Sequence, residues 1–230
     1  MKGTGIRRGS IPFGKHRRRE IRVVSTILTK TVVGGGCTLS LVFLMWVCFA
    51  LGVEAPTVVV KNTIDEVIQL VTDEKLKVPG QATHRRQLLE ETIGKQFDFE
   101  EMAKRSLAAH WKSRNASEHH EFVTLFRKLL SNTYAGKIEN YSGETVNYLK
   151  ERLKDGYAEV QTSMNSAKTV ISLDYRLILK GGNWRVYDVV VNGVSLVKNY
   201  RSQFTRIIHR SSYEDLVTTL REKSSEITAP

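Results

Sequence analysis

Gly182-Asn183-Trp184-Arg185-Val186-Tyr187-Asp188-Val189-Val190-Val191-Asn192-Gly193-Val194-Ser195-Leu196-Val197-Lys198-Asn199-Tyr200-Arg201-Ser202-Gln203-Phe204 changes its hydrophobic period half-way along. The first half is rich in Trp, Val and Tyr and is bracketed by Gly181-Gly182 and Asn192-Gly193, the composition and punctuation of a β-strand. From Ser195 onward the apolar positions Val197, Tyr200, Phe204 and Ile207/Ile208 recur every three or four residues. That spacing predicts a helix, with Ser195 as its N-cap. A strand running straight into an amphipathic helix ties a sheet to a helical layer.

Upstream of this joint the period is also two. Strands are expected at 145–153, 157–164, 168–180 and 184–191, joined by Asp155-Gly156, Asn165-Ser166-Ala167 and Gly181-Gly182. Such short turns suit antiparallel hairpins, so the four strands form a meander. In the third, Ile171, Leu173, Tyr175, Leu177 and Leu179 share one face, and Ser172, Asp174, Arg176 and Lys180 the other. One buried and one wet face is expected.

Before the sheet the period is helical. Val60, Ile64, Val67, Ile68 and Val71 mark a helix over 57–76, and Leu88, Leu89 and Ile93 mark one over 82–95. Asp98 is placed to cap a third, with Glu101 three residues on and Phe99, Met102, Ala103 and Leu107 turned inward. Ser117 is expected to open the fourth, whose stripe is Phe122, Leu125, Phe126, Leu129, Leu130 and Tyr134. With helices over 195–210 and 213–223 at the end, the order is helices, strands, helices, which is an α+β domain.

The net charge of +11 is unevenly spread. Residues 1–55 hold nine Lys/Arg against Glu20 and Glu54, a net of +7 that leaves +4 on the rest. Such a mixed remainder makes no basic stripe for nucleic acid. The basic start is followed by an uncharged run, 31–53, so residues 1–55 are expected to be an export signal cut after Gly52 or Ala55. An uncleaved membrane anchor is the alternative, since the run is long enough to span ~30 Å of hydrocarbon. Residues 56–230 are expected to be one domain. Both cysteines, Cys37 and Cys48, lie in the leader, so the domain has no disulfide and no thiol chemistry.

Trp184-Arg-Val-Tyr-Asp-Val, Gly193-Val-Ser-Leu-Val, Asn199-Tyr-Arg and Gln203-Phe204 resemble the periplasmic phospholipid-binding family MlaC, also called the toluene-tolerance Ttg2 family. A second block is similar too: Phe97-Asp-Phe-Glu-Glu-Met-Ala, His110-Trp111, and Glu121-Phe122 to Tyr134. The resemblance implies a strongly curved sheet, in the manner of the nuclear-transport-factor-2-like fold (NTF2-like), with helices closing an apolar cavity on its concave side. It implies a soluble monomeric carrier moving phospholipid between an inner-membrane Mla-type ABC transporter complex and an outer-membrane lipoprotein, so maintaining outer-membrane lipid asymmetry. No cofactor, metal or covalent step is implied.

A two-chain lipid needs a dry slot, since each CH2 withdrawn from water is worth ~0.8 kcal/mol. Two groups of side chains supply candidate walls: Phe122, Phe126, Leu129, Tyr134, Tyr200 and Phe204 from helices, and Tyr148, Leu173, Tyr175, Leu177 and Val189 from strands. The same stripes also read as ordinary core. Arg201 suits a phosphate, and equally suits pairing with Asp188 to pin helix to sheet. Arg85, Arg86, Lys150, Arg152 and Arg176 read as solvated faces. Carriage of another apolar ligand such as a hopanoid is one alternative. An isomerase-like enzyme with Asp188 as a buried base is the other. Ser195 lacks the second glycine of a nucleophile elbow, and the histidines show no metal-binding spacing.

Overall fold

The computed structural model describes residues 53–225; the leader and both cysteines lie outside them. The order is helices α1 (Pro56–Thr72), α2 (Glu74–Lys77), α3 (Ala82–Gln96) and α4 (Phe99–Leu107), a 3-10 turn (Ala108–Ser113), and helix α5 (Ala116–Glu139). Strands β1 (Thr145–Lys154), β2 (Tyr157–Asn165), β3 (Val170–Lys180), β4 (Asn183–Val191) and β5 (Val194–Ser195) follow, then α6 (Leu196–Arg210) and α7 (Tyr213–Ser225). All strand pairings are antiparallel in sequential order, so the α+β meander holds. It has five strands and not four: Val194 and Ser195 fold back on Val191 and Val190 before the helix begins.

Local chemistry explains where the other boundaries differ from the sequence reading. The first helix divides at Asp73, whose extended backbone stops it and whose carboxylate caps Lys75 N–H. The cap of α5 is Asn115, not Ser117. Its side chain accepts from Glu118 N–H while the Glu118 carboxylate accepts from Asn115 N–H, a reciprocal capping box. Asp98 does accept from Glu101 N–H at 2.9 Å, but Glu101 turns away to Arg105 and Lys180.

Two β-bulges curve the sheet, one leaving Leu149 unpaired between Tyr148 and Lys150, the other at Tyr187 opposite Arg176/Leu177. The second decides the joint. Val186 and Val189 both pair with inward-facing residues of β3, while Asp188 pairs with outward-facing Arg176. Asp188 is 3% exposed. Its carboxylate accepts from Ser195 Oγ at 2.6 Å, Val197 N–H at 3.1 Å and Arg176 Nη1 at 3.1 Å. Ser195 in turn accepts from Lys198 N–H, as an N-cap should. Helix is thus pinned to sheet through Asp188, though not by Arg201, which instead donates from Nε to the Arg105 carbonyl.

Apolar side chains form two cores. One, between α4, α5, α6 and α7, includes Met102, Leu107, Phe122, Phe126, Phe204 and Leu216. The other joins Val59 and Val60 of α1 to Val160, Leu177, Trp184, Val186 and Val189 of the sheet. Because Val190 on the opposite side of β4 is buried as well, the expected wet face is absent there, which is why Val189-Val190-Val191 does not alternate. Phe97 packs against both cores, its backbone bridges to Val186, and Asp98 N–H donates to the Val186 carbonyl. The described stretch therefore closes its own cores.

Asp188→Ala removes a buried acceptor from three donors, one of them the partly exposed Arg176 guanidinium. It is expected to destabilise by about 2–3 kcal/mol in urea denaturation, against about 1 kcal/mol for loss of the cap in Ser195→Ala.

Candidate functional site

The strand register lays the inward residues of the sheet in rows. Tyr148, Thr162, Leu173 and Val191 form one row, and Val160, Tyr175 and Val189 the next. Ala158, Leu177 and Val186 form the third. Helix α1 lies over them with Val59, Val60 and Ile64. Burial varies within these rows: Leu177, Val160 and Thr162 are fully enclosed and Val189 nearly so, while Leu173, Tyr175 and Tyr148 are half-buried.

Tyr175 is half-buried, and burial raises its hydroxyl pKa well above the ordinary tyrosine value, with Tyr148 adding to the effect. Beside it, the Tyr148 hydroxyl is pushed up to about 12, first by burial and then by the Asp65 carboxylate on α1. The Tyr148 Oη is buried without a hydrogen-bond partner. An unpaired phenol on an apolar face keeps a free hydrogen-bond donor. Thr162 offers none, since its Oγ1 already donates to the Leu173 carbonyl at 2.7 Å.

The helical candidates fall elsewhere. Phe122 and Phe126 are fully buried and meet Phe204 edge-on at 5.6 Å, and Tyr200 meets Phe126 edge-on at 5.2 Å. Leu129, Tyr200 and Phe204 also border a cleft of about 280 Å³ between α5, α6 and α7, together with Asn132, Gln203 and Leu220. Tyr134 does not line this cleft; burial, followed by the neighbouring Tyr200, raises its pKa. The eleven candidate residues therefore divide between two cores and do not form one wall.

Missed from the sequence as site residues are Val59, Ile64 and Asp65. Their helical stripe was legible, but which face of the sheet it would cover was not. Arg85, expected in water, is largely buried, pairs with Glu139 and donates to the Leu76 carbonyl. Arg176, likewise expected to be solvated, bridges Glu159 and Asp188. Among the described residues no cluster of three metal-ligating side chains occurs.

With this geometry in hand, likeness to known proteins becomes informative. A family model described as MlaC protein matches residues 61–222. The chain belongs to the MlaC family. Among its relatives, the intermembrane phospholipid transport system binding protein MlaC of Haemophilus influenzae is 21% identical over 183 residues, 77% of this chain and 86% of that protein. Toluene tolerance protein ttg2D of Pseudomonas putida is 24% identical over 179 residues, 76% of this chain and 82% of that one. A solved phospholipid-binding protein from Ralstonia solanacearum, in complex with a phospholipid, superposes with a TM-score of 0.69 and 26% identity. That likeness covers 76% of this chain and 99% of the other. The α+β architecture with a curved antiparallel sheet is that of the family.

The raised Tyr148 hydroxyl carries a linkage consequence. Its folded pKa lies above the unfolded value of roughly 10, so its contribution is intact below pH 10 and is lost as pH climbs toward 12. Ultraviolet titration of tyrosinate should show several late-ionising phenols, and Tyr148→Phe should reduce the late-ionising amplitude by one.

Proposed function

We propose that this chain is a periplasmic carrier of two-chain phospholipid. The observation that carries the reading is the apolar face between α1 and the sheet, where Tyr175 is half-buried and Tyr148 Oη lacks a partner. Its membership of the MlaC family and the lipid-bound Ralstonia relative support it.

In this reading the acyl tails lie along Tyr175, Leu177 and Val189 under Val60 and Ile64, and Leu173 with Tyr148 forms the mouth. Tyr148 Oη donates to an ester or phosphate oxygen where the tails end. Phe122 and Phe126 pack the helical core with Tyr134 against it, and Leu129, Tyr200 and Phe204 border its cleft. The cleft takes a second tail only if α5 and α7 part. Residues 1–55 act as the export leader, and the remaining domain shuttles as a monomer between an inner-membrane Mla-type ABC transporter complex and an outer-membrane lipoprotein. Binding and release need no cofactor and no covalent step. An enzymatic role for Asp188 is disfavoured, because its oxygens already accept from three donors.

Native mass spectrometry of residues 53–230, purified without detergent, tests this directly. A mass increment matching one two-chain phospholipid is expected, and Leu173→Trp, which fills the mouth, should weaken retention roughly tenfold, about 1.4 kcal/mol. Protein that arrives empty and takes up no phospholipid from vesicles defeats the reading.

A further inference from the structure

Helix α6 exposes Lys198, Arg201, Arg206 and Arg210 and contains no acidic residue. Two contacts fasten it beside the end of α4 and the 3-10 turn: Arg201 Nε donates to the Arg105 carbonyl at 2.8 Å, and the His209 ring meets His110 edge-on. Exposed Lys104 and Lys112 lie on those two neighbouring elements. These six cations form no ion pair among the described residues, whereas three acids of the adjoining elements are already engaged and a fourth, exposed Glu100, lies one turn before Lys104 on α4. Glu101 meets Arg105 and Lys180, and Glu118 and Glu214 meet Arg114.

Helix stability does not account for the pattern. Arg210 in the last turn complements the helix dipole, but Lys198 sits in the first turn, where a cation opposes it. Nor does fold-holding, because the buried stripe Val197, Tyr200 and Phe204 lies on the other side of the helix. The cations are spread over roughly 18 Å of helix with no aromatic side chain exposed among them, which removes the stacking platform that single-stranded nucleic acid uses.

We propose that the α6 face, with Lys104 and Lys112, docks on an anionic phospholipid bilayer. A bilayer presents diffuse negative charge and demands no register from long, unpaired side chains. An acidic protein surface demands matched positions. The choice of a bilayer rests on the carrier reading, since a carrier of phospholipid has to meet membranes; the charge distribution stands without it.

Residues 53–230 should co-sediment with vesicles of phosphatidylglycerol and phosphatidylcholine at low salt and not with phosphatidylcholine alone, and release at several hundred millimolar salt. Lys198→Glu/Arg206→Glu/Arg210→Glu should lower partitioning at least about a hundredfold. Lys150→Glu/Lys154→Glu/Lys168→Glu, an equal change of net charge on the strands and a turn, should lower it far less. Equal loss in both triple variants, or no binding to anionic vesicles by the wild type, overturns the proposal; the second result leaves an acidic protein as the partner. Lipid extraction of the same samples separates the two readings. Protein that holds no phospholipid yet binds anionic vesicles through α6 supports docking and sinks carriage, while lipid-loaded protein that ignores the vesicles does the reverse.

Discussion

The Asp188 carboxylate joins the two halves of the molecule. Three chain segments converge on it: β3 through Arg176, β5 through Ser195, and the first turn of α6 through Val197 N–H. A buried carboxylate is tolerable only when its lone pairs are filled, and here they are filled by groups that each need the same anion. Arg176 neutralises the charge, Ser195 spends its proton on Asp188 and its lone pair on Lys198 N–H, and Val197 N–H is one of the helix's orphan donors. Remove the carboxylate and α6 loses its anchor at the point where its direction is set. The bulge at Tyr187 belongs to the same device, since without the extra residue Asp188 would share the inward face with Val186 and be buried among apolar side chains.

Fixing α6 in this way separates the two cores. In the helical one the aromatic rings meet at centroid distances of 5.2 to 6.3 Å in edge-on, stacked and tilted pairs, the spacing of close-packed rings, and a cleft of about 280 Å³ remains between α5, α6 and α7. The sheet core mixes fully buried Leu177, Val160 and Thr162 with half-buried Leu173, Tyr175 and Tyr148. Helix α1 covers the sheet face together with Phe97 and Leu196, and its first turn is held to β1 by Glu151, which accepts from Thr57 N–H at 2.8 Å and Thr57 Oγ1 at 2.6 Å.

Much of this was legible in the sequence, for reasons that can be named. The change of period at Ser195 and the cap at Asp98 are local chemistry, so they survived folding unaltered. The hairpin turns at Asp155-Gly156 and Gly181-Gly182 did so because Asp155, Gly156, Gly181 and Gly182 all adopt positive φ, which those residue types tolerate. What was not legible depends on neighbours distant in sequence. Arg176 and not Arg201 reaches Asp188 because a bulge re-aims the carboxylate toward β3, and bulges leave little trace in a Val-rich strand. The division of Phe122 and Tyr175 into separate cores was hidden because apolar stripes state that a face is covered without stating by what.

The tyrosines give the sharpest distinction between packing and pocket. Tyr134 pairs with Tyr200, Tyr141 Oη donates to the Glu144 carbonyl at 2.9 Å, and Tyr213 Oη reaches the Glu118 carbonyl at 3.4 Å. Each buries its ring and keeps a partner for its hydroxyl, as tyrosines in cores generally do. Tyr148 Oη is buried and has none. Leaving such a donor unsatisfied costs on the order of 1–3 kcal/mol, which a phenylalanine at the same place would avoid. That unpaired oxygen, beside half-buried Tyr175 on the apolar face under α1, is what separates Tyr148 from the packed tyrosines.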